Sequence, residues 1–379
     1  MAAMLPVTGG TAAAATGESR VDATQFFSDS ALNFQALFAL GAVAYNAALP
    51  GQVLEAFDRV HASGDAYRAY YEEFLALGRR LRRLGNQPAR ARRGVTARDC
   101  YLRAATYLDQ ALYFTLASAT PTRAQEAAVY REMESCFAAA AARFVPAFKR
   151  VSIPYERRTL PGWLLTPAGS RIRRPTLILN NGSDAQNVDL LVSGGLAALE
   201  RGWNALIFEG PGQGSNLFLH GIPFRPDWEK VITPVVTWLR DRPEVDKRRI
   251  ALFGSSFGGY LVPRAAAFGL PSTTRFQITK RSEIYGNGSF YDKMRLARDF
   301  LLSRAVVGKI SAPAIIAQAA EEQLFPDQSK QLHHWLHVKK SLATFTVAEG
   351  AQFHCEPMAP TLRNDTVLDW LEANLRPTR

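Results

Sequence analysis

The chain has 379 residues, 47% of them hydrophobic and 21% charged, which excludes a disordered polymer and allows a large core with an appended second unit. Its 45 basic and 34 acidic residues give a formal charge of +11, a field that favours anionic partners without naming one. Cys100, Cys136 and Cys355 are too few and too scattered for a disulfide framework or a cysteine metal cluster, and that usage fits a reducing cytoplasm.

Residues 1–21 are rich in Ala, Gly and Thr and lack a basic leader ahead of an apolar stretch, so a disordered tail is expected there. Ala31 to Leu49 carries no charge, which raises a membrane span, but Asn33, Gln35 and Asn46 interrupt it and Pro50-Gly51 closes it. A buried helix is the expectation, with no membrane partner. Residues 22–148 read as a helical domain, because Tyr101, Ala104, Ala105, Leu108 and Leu112 recur at spacings of three and four. Val129 to Phe148 repeats that pattern after Pro121-Thr122. The basic block Arg79-Arg80-Leu81-Arg82-Arg83, followed by Arg90, Arg92 and Arg93, has no interleaved aromatics. It reads as a solvated helix end and loop, and no nucleic acid is expected.

At Val151 the period changes. Val151–Tyr155 and Gly162–Leu165 read as a strand hairpin, and residues 149–379 then alternate short apolar runs with helical stretches. Strands are expected at Thr176–Leu179, Ala205–Phe208, Ile250–Phe253, Ala314–Ala317 and Ala343–Val347. Helices are expected at Leu190–Glu200, Asp227–Leu239, Gly258–Phe268, Gln328–His337 and Thr361–Leu375. The alternation predicts an α/β fold with a mostly parallel, doubly wound sheet, whose chemistry gathers at the carboxyl ends of the strands.

Gly254-Ser255-Ser256-Phe257-Gly258 lies between the strand Arg249–Phe253 and a helix start, the setting in which G-x-S-x-G becomes a nucleophile elbow. The turn needs small residues two positions either side of the serine, because side chains there would strike the neighbouring strand and helix. Ser256 is therefore the candidate nucleophile. A serine hydroxyl needs a base, and the base needs a carboxylate to fix its tautomer. His333, His334 and His337 fall on a predicted helix, where an exposed face accounts for them better than a metal site. His354 follows the last strand in a loop that can reach the serine, so it is the candidate base. Glu321, Glu322 and Asp327 compete for the acid just past the strand Ala314–Ala317; Glu322, four residues before Pro326, is preferred and Glu321 is the alternative. Two backbone N–H groups should hold the oxyanion: that of Phe257 at the helix start and that of Ser183 in Asn181-Gly182-Ser183-Asp184. Glu209-Gly210-Pro211-Gly212-Gln213-Gly214 lacks the Lys-Ser/Thr ending of a phosphate loop and does not fit dinucleotide spacing. It reads as a rigid loop shaping the cleft, and no cofactor or metal is expected.

Together these segments resemble the α/β-hydrolase superfamily. Phe208–Gly214, Phe224-Arg225-Pro226-Asp227-Trp228-Glu229, Gly254–Tyr260 with Pro263-Arg264, and Glu349-Gly350-Ala351 with His354-Cys355 look like the branch containing dihydropseudooxynicotine hydrolase and fungal hydrolases that shorten polyketide pigment precursors. The resemblance implies an N-terminal helical cap (22–148) over a catalytic domain (149–379), and a serine hydrolase that cleaves a C–C bond beside a ketone, or an ester, in a small to medium carbonyl metabolite. Two departures stand out. The branch usually has aspartate where Glu322 stands, and its helical insertion before the acid strand is longer than the segment 270–310. Phe276 to Glu283 is also too polar for a buried parallel strand. An acyltransferase or cyclase using the same serine, and a binding protein that has lost catalysis, are the rival readings. Members of the branch often dimerise; nothing in these residues demands it, and a homodimer is left open.

Overall fold

In the computed structural model of the chain, residues 24–119, 122–169, 172–268 and 300–375 are described. The expected tail at 1–21 and the polar run 276–283 lie outside them, as does most of 270–310.

Five helices come first. Asp29 caps α1 (Ser30–Gly41), accepting from the N–H groups of Ala31 and Leu32. A short 3₁₀ turn, Ala42–Tyr45, then ends at Asn46, whose φ of 58° reverses the chain. The uncharged stretch 31–49 is thus a helix and a turn rather than one long helix. Among the described residues no helix is long and apolar enough to cross a membrane. Pro50 opens α2 (Pro50–His61), where its missing N–H costs nothing. Asp65 caps α3 (Ala66–Arg90), followed by α4 (Gly94–Tyr113) and by α5 (Arg123–Ala141), capped by Thr122. The basic block lies inside α3 and not at its end, and there Arg79 and Arg82 both pair with Glu132 of α5.

The strands are β1 (Lys149–Tyr155), β2 (Arg158–Leu165), β3 (Arg174–Asn180), β4 (Asn204–Phe208) and β5 (Val245–Gly254), in spatial order β1-β2-β4-β3-β5. β1, β2 and β4 pair antiparallel; β4, β3 and β5 pair parallel, as the expected hairpin and crossovers require. Alternation along the buried strands sets the two faces. Leu177, Leu179, Ala205 and Ile207 join a core shared with the five N-terminal helices, whereas Ile178, Leu206 and Phe208 face α9 (Glu229–Arg240) and α10 (Gly258–Phe268). Cap and sheet therefore share one apolar interior.

Between β3 and β4 the expected helix 190–200 is broken into α6 (Asn187–Leu190), a π turn and α7 (Leu196–Glu200), with Gly194 outside helical geometry at φ 163°. A five-residue helix, α8 (Gly214–Phe218), follows β4. Beyond residue 300 come α11 (Arg304–Val307), β6 (Ala314–Ala319), α12 (Gln328–Trp335), β7 (Lys340–Phe345) and α13 (Pro360–Asn374). β6 and β7 pair parallel as a separate two-stranded sheet, with no pairing to β5 among the described residues. β7 stops two residues before the expected end, because Thr346 caps a 3₁₀ turn at Val347–Glu349.

Candidate active site

The elbow is a steric solution to placing a serine at a strand's end. Ser256 has φ 54°, a left-handed conformation that costs a non-glycine residue about 1–3 kcal/mol. A side-chain carbon on Gly254 would strike the Gly258 carbonyl, and one on Gly258 would stand 2.8 Å from the Asn180 carbonyl oxygen. Both glycines are needed for the turn to close against β3 and α10.

The three expected side chains meet. Ser256 Oγ lies 3.0 Å from His354 Nε2, and His354 Nδ1 lies 2.9 and 2.8 Å from the two Glu322 oxygens. Glu321 points elsewhere: it is exposed, and its N–H donates to the Gln352 carbonyl. Asp327, also exposed, pairs with Lys330. Glu322 is fixed by the Leu324 and Phe325 N–H groups, which donate to Oε1 at 2.9 and 3.1 Å. Burial works against its ionised form. The hydrogen bond and charge of His354, with those two N–H groups, outweigh it and hold the carboxyl below its usual range. Burial likewise opposes protonation of His354, but Cys355 and Glu322 beside it raise the imidazole well above its ordinary value. The ring is 4% exposed and sits between Phe325, at 5.3 Å, and Phe34 of α1, at 6.1 Å between centroids.

The loop that carries Ser183, the second expected oxyanion donor, packs against the elbow through Gly182. A side-chain carbon on Gly182 would stand 2.9 Å from Ser256 Cβ and 3.1 Å from the Phe257 nitrogen, so only glycine lets this loop approach. The Gly182 N–H is already spent on Asn181 Oδ1 at 2.7 Å, whereas the N–H groups of Phe257 and Ser183 donate to no acceptor among the described residues. The Ser183 hydroxyl is turned to Asp184 at 2.7 Å. Gln213 of the Gly-rich loop holds the Asn181 and Gly182 carbonyls at 2.8 and 3.2 Å, and Trp228 donates to Asn180 at 2.8 Å. Sequence gave no sign of these two braces, because each acts through a partner more than thirty residues away.

A cavity of about 550 Å³ opens at Ser256, His354 and Glu322. It runs between β5 and β6 rather than up into the cap, past Leu252, Ile316, Leu332 and Trp335, and among the described residues no cap residue lines it. His333 and His334 sit on α12 and His337 just beyond it; among the described residues no cluster of His, Cys, Asp and Glu is arranged to hold a metal ion.

No protein-family model matches the chain. Among curated proteins it is 32% identical over 265 residues to Hydrolase acrC of Aspergillus aculeatus, which spans 64% of this chain and 60% of that one. It is 31% identical over 255 residues to 20-hydroxy-prefusarin hydrolase FUS2 of Gibberella moniliformis, spanning 65% and 59%. The match thus covers less than two thirds of either relative's length. Among solved structures, 2,6-dihydroxy-pseudo-oxynicotine hydrolase superposes with a TM-score of 0.72 at 17% identity, covering 88% of this chain and 95% of that one. AbyA5 superposes with a TM-score of 0.60 at 18% identity, covering 91% and 95%. At such identities the structures speak for the fold alone. The chain has the α/β-hydrolase fold. Within it, the chain resembles the branch that holds the fungal hydrolases and the pseudo-oxynicotine enzyme.

Proposed function

We propose that the chain is a metal-free serine hydrolase that cleaves a C–C bond beside a ketone, or an ester, in a small to medium, polyketide-like metabolite. The observation that carries this reading is the Ser256–His354 contact of 3.0 Å, with Glu322 on the far ring nitrogen. Ser256 Oγ bonds the carbonyl carbon as its proton passes to His354 Nε2, and the Phe257 and Ser183 N–H groups hold the resulting oxyanion. Collapse breaks the bond to the leaving group, which departs with its electron pair and takes the proton back from His354. Water, deprotonated by His354, then adds to the acyl-enzyme, and its collapse frees the acid and restores Ser256.

The apolar cavity and the resemblance to proteins named for oxygenated metabolites support the substrate class. Ser256→Ala should abolish both turnover and labelling by a fluorophosphonate; a variant that keeps both refutes the reading. Hydrolysis in ¹⁸O-labelled water must place solvent oxygen in the acid product, and its absence with an amide or ester product would point to acyl transfer instead.

A further inference from the structure

One carboxyl at the cavity has no role in the proposed triad. Glu356 lies two residues past His354 and is 3% exposed. Its backbone is bonded, the N–H to Phe353 and the carbonyl to Ala359, and among the described residues its side chain makes no hydrogen bond. The obvious cation does not reach it. Arg363 of α13 spends its guanidinium on the Cys355 carbonyl and on Asn364 Oδ1. Glu356 nevertheless lines the cavity that opens at Ser256 and His354. The Glu356 oxygens are not among the fully enclosed unpaired atoms, as expected of a carboxyl that faces the cavity and can bond whatever enters it.

We infer that Glu356 is a substrate-contacting residue whose carboxyl donates a hydrogen bond to a second oxygen near the scissile carbonyl, so that the site selects 1,3-dicarbonyl compounds over simple esters. This rests on the hydrolase reading for its chemistry, and the contact itself can be measured without turnover. A 1,3-diketone has two oxygens a fixed short distance apart. With one oxygen at Phe257 and Ser183, the other needs a donor, and it is there that negative charge collects when the C–C bond breaks to leave an enolate. On the same wall Leu252, Ile316 and Leu332 carry no donor and the Arg363 guanidinium is committed to Cys355 and Asn364, so Glu356 is the group assigned to that oxygen.

The protonation state fits a donor. Burial first, with Glu322 adding to it and Arg363 and His354 opposing, pushes Glu356 up to about 7. A plain ester has no second carbonyl oxygen at that separation, and its alkoxy oxygen, on the carbonyl carbon itself and a weak acceptor, does not reach this group.

The experiment uses full-length Ser256→Ala protein, which cannot turn over, and follows binding of 1-phenylbutane-1,3-dione by its enol absorbance. Adding Glu356→Leu should weaken binding roughly 10-fold or more. Adding Glu356→Gln, which keeps a donor, should hold affinity within about 3-fold. Affinity should fall between about pH 6 and about pH 8 with glutamate present, and stay flat with glutamine. Equal affinity of the leucine variant, loss in both variants, or no binding to Ser256→Ala itself overturns the inference. Fluorophosphonate labelling of the wild-type protein reports separately on the hydrolase: a protein that binds the diketone through Glu356 but is never labelled would keep this inference and lose the catalytic one.

Discussion

The last turn of α1 lies in backbone contact with the loop that carries His354, because a side-chain carbon on Gly41 would collide with the carbonyl of Pro357. Two further contacts reach this region from the cap: the Phe34 ring beside His354, and the hydrogen bond to the Tyr45 hydroxyl from Asn364 Nδ2, on α13 just past the loop, at 3.0 Å. The cap thus packs against the proposed base, His354, while none of its described residues lines the cavity. Since the obstruction is backbone, Gly41→Ala must displace either the helix or the loop. It should destabilise the protein by about 1–3 kcal/mol and slow fluorophosphonate labelling of Ser256. Thermal melting and labelling rates check this; an unchanged rate would mean that the cap does not hold the base.

Elsewhere the cap meets the sheet through paired carboxyls. Glu134 of α5 faces Glu209, with Tyr130 donating to Glu209 at 2.6 Å and Asn187 to both carboxyls at 3.0 and 2.9 Å. Burial, then the charge of Glu209, pushes Glu134 up to about 7; Arg150 lies 4.0 Å away and opposes this. Asp189 at the start of α6 is pushed up to about 6 by burial, despite a hydrogen bond with Asp109 of α4. Both folded values lie above the unfolded ones. The docked cap therefore holds protons that the unfolded chain releases, and this stabilisation is complete below about pH 4 and lost as pH rises through about 6 to 7. Stability, and the melting temperature with it, should fall as pH rises from about 4 to about 7, by on the order of several kcal/mol. Glu134→Gln should flatten the slope and stabilise the protein at alkaline pH. A melting curve independent of pH sinks the idea.

These two interfaces also show what sequence conveyed and what it withheld. The elbow was legible because its glycines are local necessities, and His354 because a loop after the last strand has one natural destination. Glu322 rather than Glu321 was a finer choice, read from a turn whose first side faces the cleft. Gly41 and Tyr45 gave no sign, since their partners lie more than three hundred residues away and only packing brings them together. The kink at Gly194 was hidden for a related reason: a helical apolar pattern runs through it, and the side chains of Leu177 and Leu179 crowd it from the strand beside it. Nothing in the local pattern marks Glu356, whose burial arises only from packing.

The oxyanion donor proposed at Ser183 is a backbone group, which separates two substitutions at one position. Ser183→Ala removes only a hydroxyl that is turned to Asp184, and should change turnover by less than about 3-fold. Ser183→Pro removes the N–H and should cost roughly 10²–10³ in kcat. Circular dichroism of both variants separates a lost donor from a lost fold. Equal effects of the two, with the fold intact, would move the second donor to another residue.

Glu322 holds His354 through both oxygens, so its charge and its length can be tested apart. Glu322→Gln keeps the length and removes the charge, and should lower kcat by roughly 10²–10⁴. It should also shift the pH profile. His354 acts as a base only when neutral, so activity rises with pH through its raised value, an acid limb above about 6.5. Without the carboxylate the imidazole loses a proton more easily, and the limb must move to lower pH even as the plateau falls. Glu322→Asp keeps the charge and retracts it by a methylene, so it should keep the limb high while losing rate through geometry. If glutamine lowers the plateau without moving the limb, Glu322 orients the ring but does not set its charge.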